Sequence, residues 1–469
     1  MVQTSSRGAV GGSHGRGRLV IRRSLWVFWL LFGINTLNYL DRLIAVAVAP
    51  TLKSEFHLTD SAIGLLGSAF LLVYTFAALP AGALADRLHA RAKVISVGVA
   101  IWSVFSGLTA LARGYAGLFV TRALVGVGEA SYSPASVALL VNYYPRERRA
   151  EIIGRWQAGQ VLGALLAFLV AGALFAWLPA HLAWRVAFLV TAAPGLALAA
   201  LAWRMADHPA TTSGLADAAK DEPMAQTAQT AQTAMRRGRA EAQRAPLLTL
   251  AAEARALARQ ARQALSIPMI WVVVALQAIG FVVITPAVTF LPLYVQSARG
   301  PFHLSASHAS FLLGLTLVLG GFLGAILGGL LSDWLDHWLP GGRVLAITVG
   351  FTLAIPCYCL MLVTASLPLF LLTSALTTLT LNLPTAALTA TPPDVAPPVL
   401  RATAIAVTML LSHVFGDIWA SWAVGSLSTA LHDHIALALL LVGVPALALG
   451  CVISLFGARM YARSRHTMR

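Results

Sequence analysis

Residues 25–51 read LWVFWLLFGINTLNYLDRLIAVAVAPT and residues 116–143 read AGLFVTRALVGVGEASYSPASVALLVNY. Each run is long enough to cross a hydrocarbon core of roughly 30 Å as a helix. Each nevertheless holds two ionisable residues, Asp41 and Arg42 in the first, Arg122 and Glu129 in the second. A charge at the centre of a membrane helix costs roughly 2.5–3.5 kcal/mol on insertion scales, so a chain that keeps four has a use for them. They form the default functional site.

The rest of the chain supports the bilayer assignment. Hydrophobic residues make up 58% of it and charged residues 11%, and mean hydropathy is +0.77, unlike a soluble domain. Mostly apolar segments recur near 25–51, 59–84, 93–112, 116–143, 151–178, 183–204, 268–295, 307–331, 343–365, 367–391, 400–428 and 435–462. Barrel strands would be about 9–11 residues long with alternating polarity. The expected fold class is therefore all-α integral membrane, with twelve transmembrane helices.

If those helices alternate, most basic residues fall on one side: Arg7 to Arg23, the Arg87/Arg91/Lys93 group, Arg146/Arg148/Arg149, the central linker and the Arg459 to Arg469 tail. The positive-inside rule then places both termini and the linker in the cytoplasm. The Ala- and Leu-rich, Lys-poor composition fits the inner membrane of a bacterium. A net charge of +15 reads as topology and contact with anionic lipid headgroups, because nucleic-acid binding calls for a folded basic domain and none is present. No cleavable leader is expected, since the first apolar run is long and follows a Gly/Ser/Arg tail. Cys357, Cys359 and Cys451 lie inside expected helices and read as packing residues. No metal set is expected: His432-Asp433-His434 falls in an external loop. No cofactor is expected either, the proton gradient serving as driving force, and the chain is expected to be a monomer.

The middle of the sequence divides it. Residues 205–266 lose hydrophobicity and include the AQTAQTAQT run from Ala225 to Thr233, which offers nothing to build a core from. The expected organisation is a tail over 1–24, an N-terminal six-helix bundle over 25–204, a linker over 205–266, a C-terminal bundle over 267–462 and a tail over 463–469. Within the linker, about 247–266, Leu250, Leu257 and Leu265 recur at helical spacing while Arg255, Arg259 and Arg262 form a basic stripe. This is either an amphipathic helix on the inner leaflet or a solvated connector. The halves echo one another. Gly82-Ala-Leu-Ala-Asp86-Arg87 corresponds to Gly329-Leu-Leu-Ser-Asp333-Trp334, and Pro145-x-x-x-Arg149-Ala150 to Pro397-x-x-x-Arg401-Ala402. Paired motifs in register mark the two pseudo-symmetric bundles of an internally duplicated transporter.

With these motifs in place, the chain resembles the major facilitator superfamily. Gly82-x-Leu84-Ala85-Asp86-Arg87 with Arg91 is similar to its loop signature between the second and third spans, and Arg122-x-x-x-Gly126-x-Gly128-Glu129-Ala130 to its fourth-span motif. Narrower elements, Asn38-Tyr39-Leu40-Asp41-Arg42, Gly126 to Tyr132, Gly324 to Leu335 and His413-x-x-Gly416-Asp417, resemble the spinster-type lipid transporters. Thr429 stands where that family has an acid. The resemblance implies lysophospholipid or sphingoid-phosphate substrates, and it implies that the first-span Asp-Arg pair and the fourth-span Glu are coupling residues.

A rise of ~1.5 Å per residue puts Asp41 and Arg42 at a depth between Arg122 and Glu129, which share one helix face. Both acids can reach a guanidinium. In such a cluster desolvation pushes a carboxylate toward neutrality and a neighbouring arginine pushes it toward ionisation. The expectation is that Asp41 and Glu129 exchange protons while Arg42 and Arg122 alternate between them and an anionic substrate group; the alternative is that the charges merely staple the two spans. Gly82, Asp86, Arg87, Arg91, Arg149, Asp333 and Arg401 fall at cytoplasmic helix ends and are expected to form an interdomain gate.

The C-terminal half offers only Asp417 amid Leu, Thr, Phe and small residues, so a cavity polar on one wall and apolar on the other favours an amphipathic molecule. Asn382 and Thr285 are expected to line it, with Tyr39 and Tyr132 as further contacts and Pro286 and Pro384 either breaking helices near the midplane or, for Pro286 alone, forming a plain kink. His413 and Asp417, spaced i,i+4, form a second candidate protonation element or a packing pair. The function expected is a proton-coupled secondary transporter of an amphipathic lysolipid or sphingoid-type lipid, working by rocker-switch alternating access, with a proton-coupled organic-anion or multidrug carrier as the alternative.

Overall fold

The computed structural model describes residues 11–88, 90–144, 148–207, 246–297 and 300–468, with side chains described from residue 23 onward except at 79, 83–88, 150, 246–254, 402 and 464–468. Among the described residues every regular element is a helix. The N-terminal bundle comprises α1 (Gly11–Ala47), α2 (Ala49–Glu55), α3 (Asp60–Leu88), α4 (Arg91–Thr109), α5 (Tyr115–Ala130), α6 (Tyr132–Tyr143), α7 (Arg149–Trp177) and α8 (Ala180–Trp203). The connector holds α9 (Pro246–Leu265). The C-terminal bundle comprises α10 (Pro268–Gln296), α11 (Ala306–Trp338), α12 (Gly342–Val363), α13 (Leu367–Asn382), α14 (Pro384–Val395), α15 (Arg401–Phe415), α16 (Asp417–Ala430) and α17 (Ile435–Met468).

Eleven of these stretches are long and apolar enough to cross a membrane, and the pair α1 and α2, bent by 44°, makes the twelfth. The breaks inside spans trace largely to proline, which cannot donate to the carbonyl four residues back and crowds it. Pro50 follows the bend at Val48, Pro134 follows the break at Ser131, and Pro384 opens α14 directly after the break at Leu383. Pro286 breaks nothing: α10 runs continuously through it and Pro292. The α15/α16 break is instead at Gly416, with φ −104° and ψ −94°.

Within the N-terminal bundle α1 packs on α7, α4 on α8 and α3 on α5, while in the C-terminal bundle α11 packs on α13 and α17 on α12 and α10. Small residues allow the closest of these approaches. A Cβ on Gly163 would lie 2.2 Å from the Thr36 carbonyl oxygen, and one on Gly128 2.5 Å from the Trp102 nitrogen. Gly320, Gly324 and Gly328 bring α11 onto the backbone of α13 in the same way.

The bundles meet each other mainly where α3 faces α16 and α7 faces α11. Gly64 abuts the Ser421 carbonyl, Gly425 abuts the Asp60 carbonyl, and Ser307 donates 2.8 Å to the Gly172 carbonyl. These contacts sit at the starts of α3 and α11, toward the end of α7 and in the first two-thirds of α16. The bundles are therefore closed at one face, opposite the basic face at which α3 ends and α4 begins. At the basic face, α9 rests its last turns on the C-terminal bundle: Thr403 donates to Gln260 at 3.3 Å, and Trp271 Nε1 donates to the Leu265 carbonyl at 2.9 Å. Its Arg255 and Arg259 are exposed, and Leu257 is 56% exposed.

Candidate functional site: crossed ion pairs on a bundle-spanning cavity

The four intramembrane charges form two ion pairs, each joining α1 to α5. Arg42 Nε lies 2.5 Å from Glu129 Oε2, and Arg122 Nη1 lies 3.1 Å from Asp41 Oδ2. The pairing is crossed, so each helix gives one acid and one base and the cluster is neutral when all four are ionised. Both carboxylates are fully buried, whereas the Arg42 side chain is 18% exposed and that of Arg122 8%. Asp41 has two more partners, accepting from Ser106 on α4 and, at 2.7 Å, from Thr191 on α8. Glu129 is less well served: its Oε1 is buried without a hydrogen-bond partner. Removing one member of a buried pair typically costs about 3–5 kcal/mol, because a charge is stranded.

Aromatic faces hold the two arginines in place. The Arg42 guanidinium carbon lies 4.3 Å from the centroid of Tyr74 and 5.3 Å from those of Tyr39 and Phe70, and Arg122 lies 5.2 Å from Phe70. Desolvated cation–π contacts of this kind are worth about 2 kcal/mol. They leave each guanidinium one face toward aromatic rings and one edge toward a carboxylate.

A cavity of about 330 Å³ opens beside the cluster, with Arg42 and Arg122 in its wall and Asp41 and Glu129 behind them. Its remaining surface is apolar from both bundles, including Leu43, Val46, Leu66, Ile284 and Val288, with Thr109, Thr285, Thr289 and Ser421 as polar relief. A molecule here meets guanidinium on one side and hydrocarbon on the other.

Of the other expected contacts, Thr285 lines this cavity and Tyr39 backs Arg42. Tyr132 does not line it. Its ring is 1% exposed, and its hydroxyl donates to the Leu31 carbonyl and accepts from Trp156 Nε1 at 2.9 Å, knotting α6 to α1 and α7. Asn382 also turns back on itself, donating 2.8 Å to the Thr378 carbonyl beside Gly324. His413 Nδ1 is 2.9 Å from Asp417 Oδ2, and its ring stacks on Phe281 at 4.7 Å, away from the cavity wall.

Three of the residues expected at the basic-face gate meet neighbours in their own bundle. Arg149 Nε donates 3.2 Å to the Tyr144 carbonyl, Asp333 lies 3.8 Å from Arg343 in its own bundle, and Gly82 faces Pro134 of its own bundle. Arg91 and Arg401 open α4 and α15. Asp86 and Arg87 lie in α3, with side chains outside the described set.

Sequence reasoning missed the charged latch on the closed face. Asp60, at the start of α3 and fully buried, accepts from Lys53 Nζ at 2.6 Å and from Ser428 of the other bundle at 2.7 Å. Beside it the Ser61 amide donates to Thr429 Oγ1 at 3.1 Å, and the Ser61 and Ser426 hydroxyls are 3.0 Å apart. At membrane-edge depth a lysine or aspartate is unremarkable in sequence; the one local cue is that Asp60 opens an apolar run.

Protein spinster homolog 1 of Xenopus laevis is 30% identical over 224 residues, covering 46% of this chain and 41% of that protein. A hexuronate transporter of Bacillus subtilis (strain 168) is 30% identical over 175 residues, 37% of this chain and 40% of that protein. The chain thus matches under half the length of either relative. The crystal structure of a bacterial homologue of the human lysosomal transporter Spinster, in an inward-facing and unoccupied conformation, superposes with a TM-score of 0.71 at 22% identity, over 95% of this chain and 97% of that one. The model described as Major Facilitator Superfamily matches residues 31–421, across both bundles and the connector. The chain belongs to the Major Facilitator Superfamily, a family of membrane transporters, with spinster proteins among its relatives.

Proposed function

We propose that this protein is a proton-coupled secondary transporter in a bacterial inner membrane, moving an amphipathic anion of the lysolipid or sphingoid-phosphate type by alternating access. One observation carries the proposal: both arginines line the cavity while their carboxylate partners are fully buried behind them. An anion that engages Arg42 competes with Glu129 for the same guanidinium. A carboxylate released there stays fully buried with its Oε1 already unpartnered, and an unpaired buried charge costs several kcal/mol. Glu129 then takes up a proton, and anion binding and proton binding become one event. Asp41, held by Ser106 and Thr191 as well as Arg122, keeps more of its support when Arg122 shifts, which makes Glu129 the principal carrier. The spinster relatives and the hydrocarbon wall opposite the arginines favour a lipid-like cargo. With both termini in the cytoplasm, the bundle contacts close the outer face and the state is inward-facing.

The decisive experiment uses Glu129→Gln in proteoliposomes with a labelled lysophospholipid. Wild-type protein accumulates the lipid when a pH gradient is imposed, whereas the variant carries it only down its own gradient. Unchanged gradient-driven accumulation by the variant overturns the assignment. The hexuronate transporter among the relatives supports a second reading, a proton-coupled organic-anion carrier. Transport of a small hydroxylated carboxylate, with none of the lysolipid, would select it.

A further inference from the structure

A second, narrower slot of about 30 Å³ lies beside the main cavity on the side of the C-terminal bundle, between α10, α11 and α13. Ile284 and Val288 belong to both walls, so a molecule with one end at the arginines reaches the slot by passing those two side chains. Most of its lining is hydrocarbon, but Thr316, Ser374, Thr377 and Thr378 form a strip of hydroxyls along it.

Hydroxyls inside a helix normally discharge their donor to a carbonyl one turn back. On α13 Thr373 donates to Leu369 at 2.7 Å, Thr378 to Ser374 at 2.9 Å and Thr380 to Leu376 at 2.8 Å, while Ser374 reaches Thr316 at 3.4 Å. Thr377 makes no such bond. It is 3% exposed, and its Oγ1 is buried without a partner. A buried hydroxyl left unmatched carries a desolvation cost, which a neutral donor or acceptor on a ligand would recover. A slot built only to hold an alkyl chain gains nothing from that hydroxyl.

We infer that Thr377, backed by Ser374 and Thr316, forms a specificity subsite for a neutral hydrogen-bonding group, a hydroxyl or ester carbonyl, partway along an anionic amphiphile whose charged end sits at Arg42 and Arg122. The inference rests on the transport reading above and narrows its substrate class: plain alkyl anions are poor ligands, and anions with a polar linkage between head and chain are good ones. Hydrogen-bond recognition of this kind discriminates strongly because the competing ligand leaves the protein group unpaired.

The test compares two single-chain phosphates of equal length bound to the full chain in nanodiscs, a 1-acyl lysophosphatidic acid and a plain alkyl phosphate. Wild-type protein is expected to bind the acyl compound on the order of tenfold more tightly, the size of one well-made hydrogen bond. Thr377→Val, which keeps the shape, should erase the difference by weakening the acyl compound alone. Thr377→Ser should retain it. Equal weakening of both probes by Thr377→Val, or no weakening of either, overturns the subsite. The readings separate through Arg122→Gln: loss of both probes there with Thr377→Val indifferent leaves the anion site standing and removes only the subsite. If wild-type protein binds neither phosphate, the amphiphile reading fails and the subsite with it.

Discussion

Neutralising Asp60 should open the closed face. Its buried carboxylate accepts from Lys53 at 2.6 Å and from Ser428 across the bundle interface at 2.7 Å. A hydrogen bond to a charged group is worth about 1.5–3 kcal/mol. The Lys53 pair lies within the N-terminal bundle and holds in either state, so the share that closes the face is the Ser428 bond, and Asp60→Ala, which removes it, should cost the closed state about 2 kcal/mol. The 3.8 Å contact between Lys53 and the 47% exposed Asp433 adds little. At 1.4 kcal/mol per factor of ten, 2 kcal/mol shifts the balance between conformations about thirtyfold. Two states a few kcal/mol apart then become comparably populated. Spin labels at Trp177 and Val363, the last residues of α7 and α12 on that face and 86% and 72% exposed, report it, with Cys357, Cys359 and Cys451 replaced. Double electron–electron resonance should show a longer-distance population in Asp60→Ala that wild-type protein lacks, and Ser428→Ala, which removes the same bond from the other bundle, should give it too. Distributions identical to wild type in correctly folded variants would refute the latch.

Two further perturbations follow from the same contacts. Gly425→Ala places a Cβ 2.3 Å from the Asp60 carbonyl, so it should lengthen the same label distance with every charge intact; an unchanged distance would show that the two bundles do not depend on that approach. Arg343 sits among Asp394, Asp336 at 3.5 Å and Asp333 at 3.8 Å. Arg343→Ala should destabilise the protein by about 2 kcal/mol at neutral pH, the usual 3–5 kcal/mol for a broken buried pair being reduced by solvent at Asp333. Thermal unfolding of Arg343→Ala combined with Asp394→Asn should recover part of that deficit, because one of the stranded charges is then gone. No recovery in the double variant would refute mutual repulsion as its cause.

The four charges were legible because a bilayer makes any ionisable residue conspicuous, and their depths followed from helical rise alone. Their crossed pairing was not, since it depends on how α1 and α5 are rotated about their axes. Ser106 and Thr191 were equally hidden, two hydroxyls among many until the fold brings α4 and α8 to Asp41. Pro384 announced the break in its span, whereas Pro286, which by itself reads as a plain kink, sits inside a continuous α10. Tyr132 was expected among the cavity contacts, yet as the first residue of α6 it is 1% exposed in the bundle interior. Gly416 carried no expectation of a break at all. The latch at Asp60 was invisible for the opposite reason to the central charges: at the membrane edge a charge costs little and attracts no notice.

The crossed ion pairs also set an order on biogenesis. Asp41 and Arg122 are 81 residues apart, and Arg42 and Glu129 are 87 apart. At about 5–20 residues per second, a ribosome that has just made Asp41 needs roughly 4–16 s to make its partner. For that interval the first span carries an adjacent acid and base with no helix to receive them, each costing about 2.5–3.5 kcal/mol in lipid. The unit that becomes stable in the bilayer is therefore the first four spans together, and the insertion machinery must shelter the first until the fourth emerges.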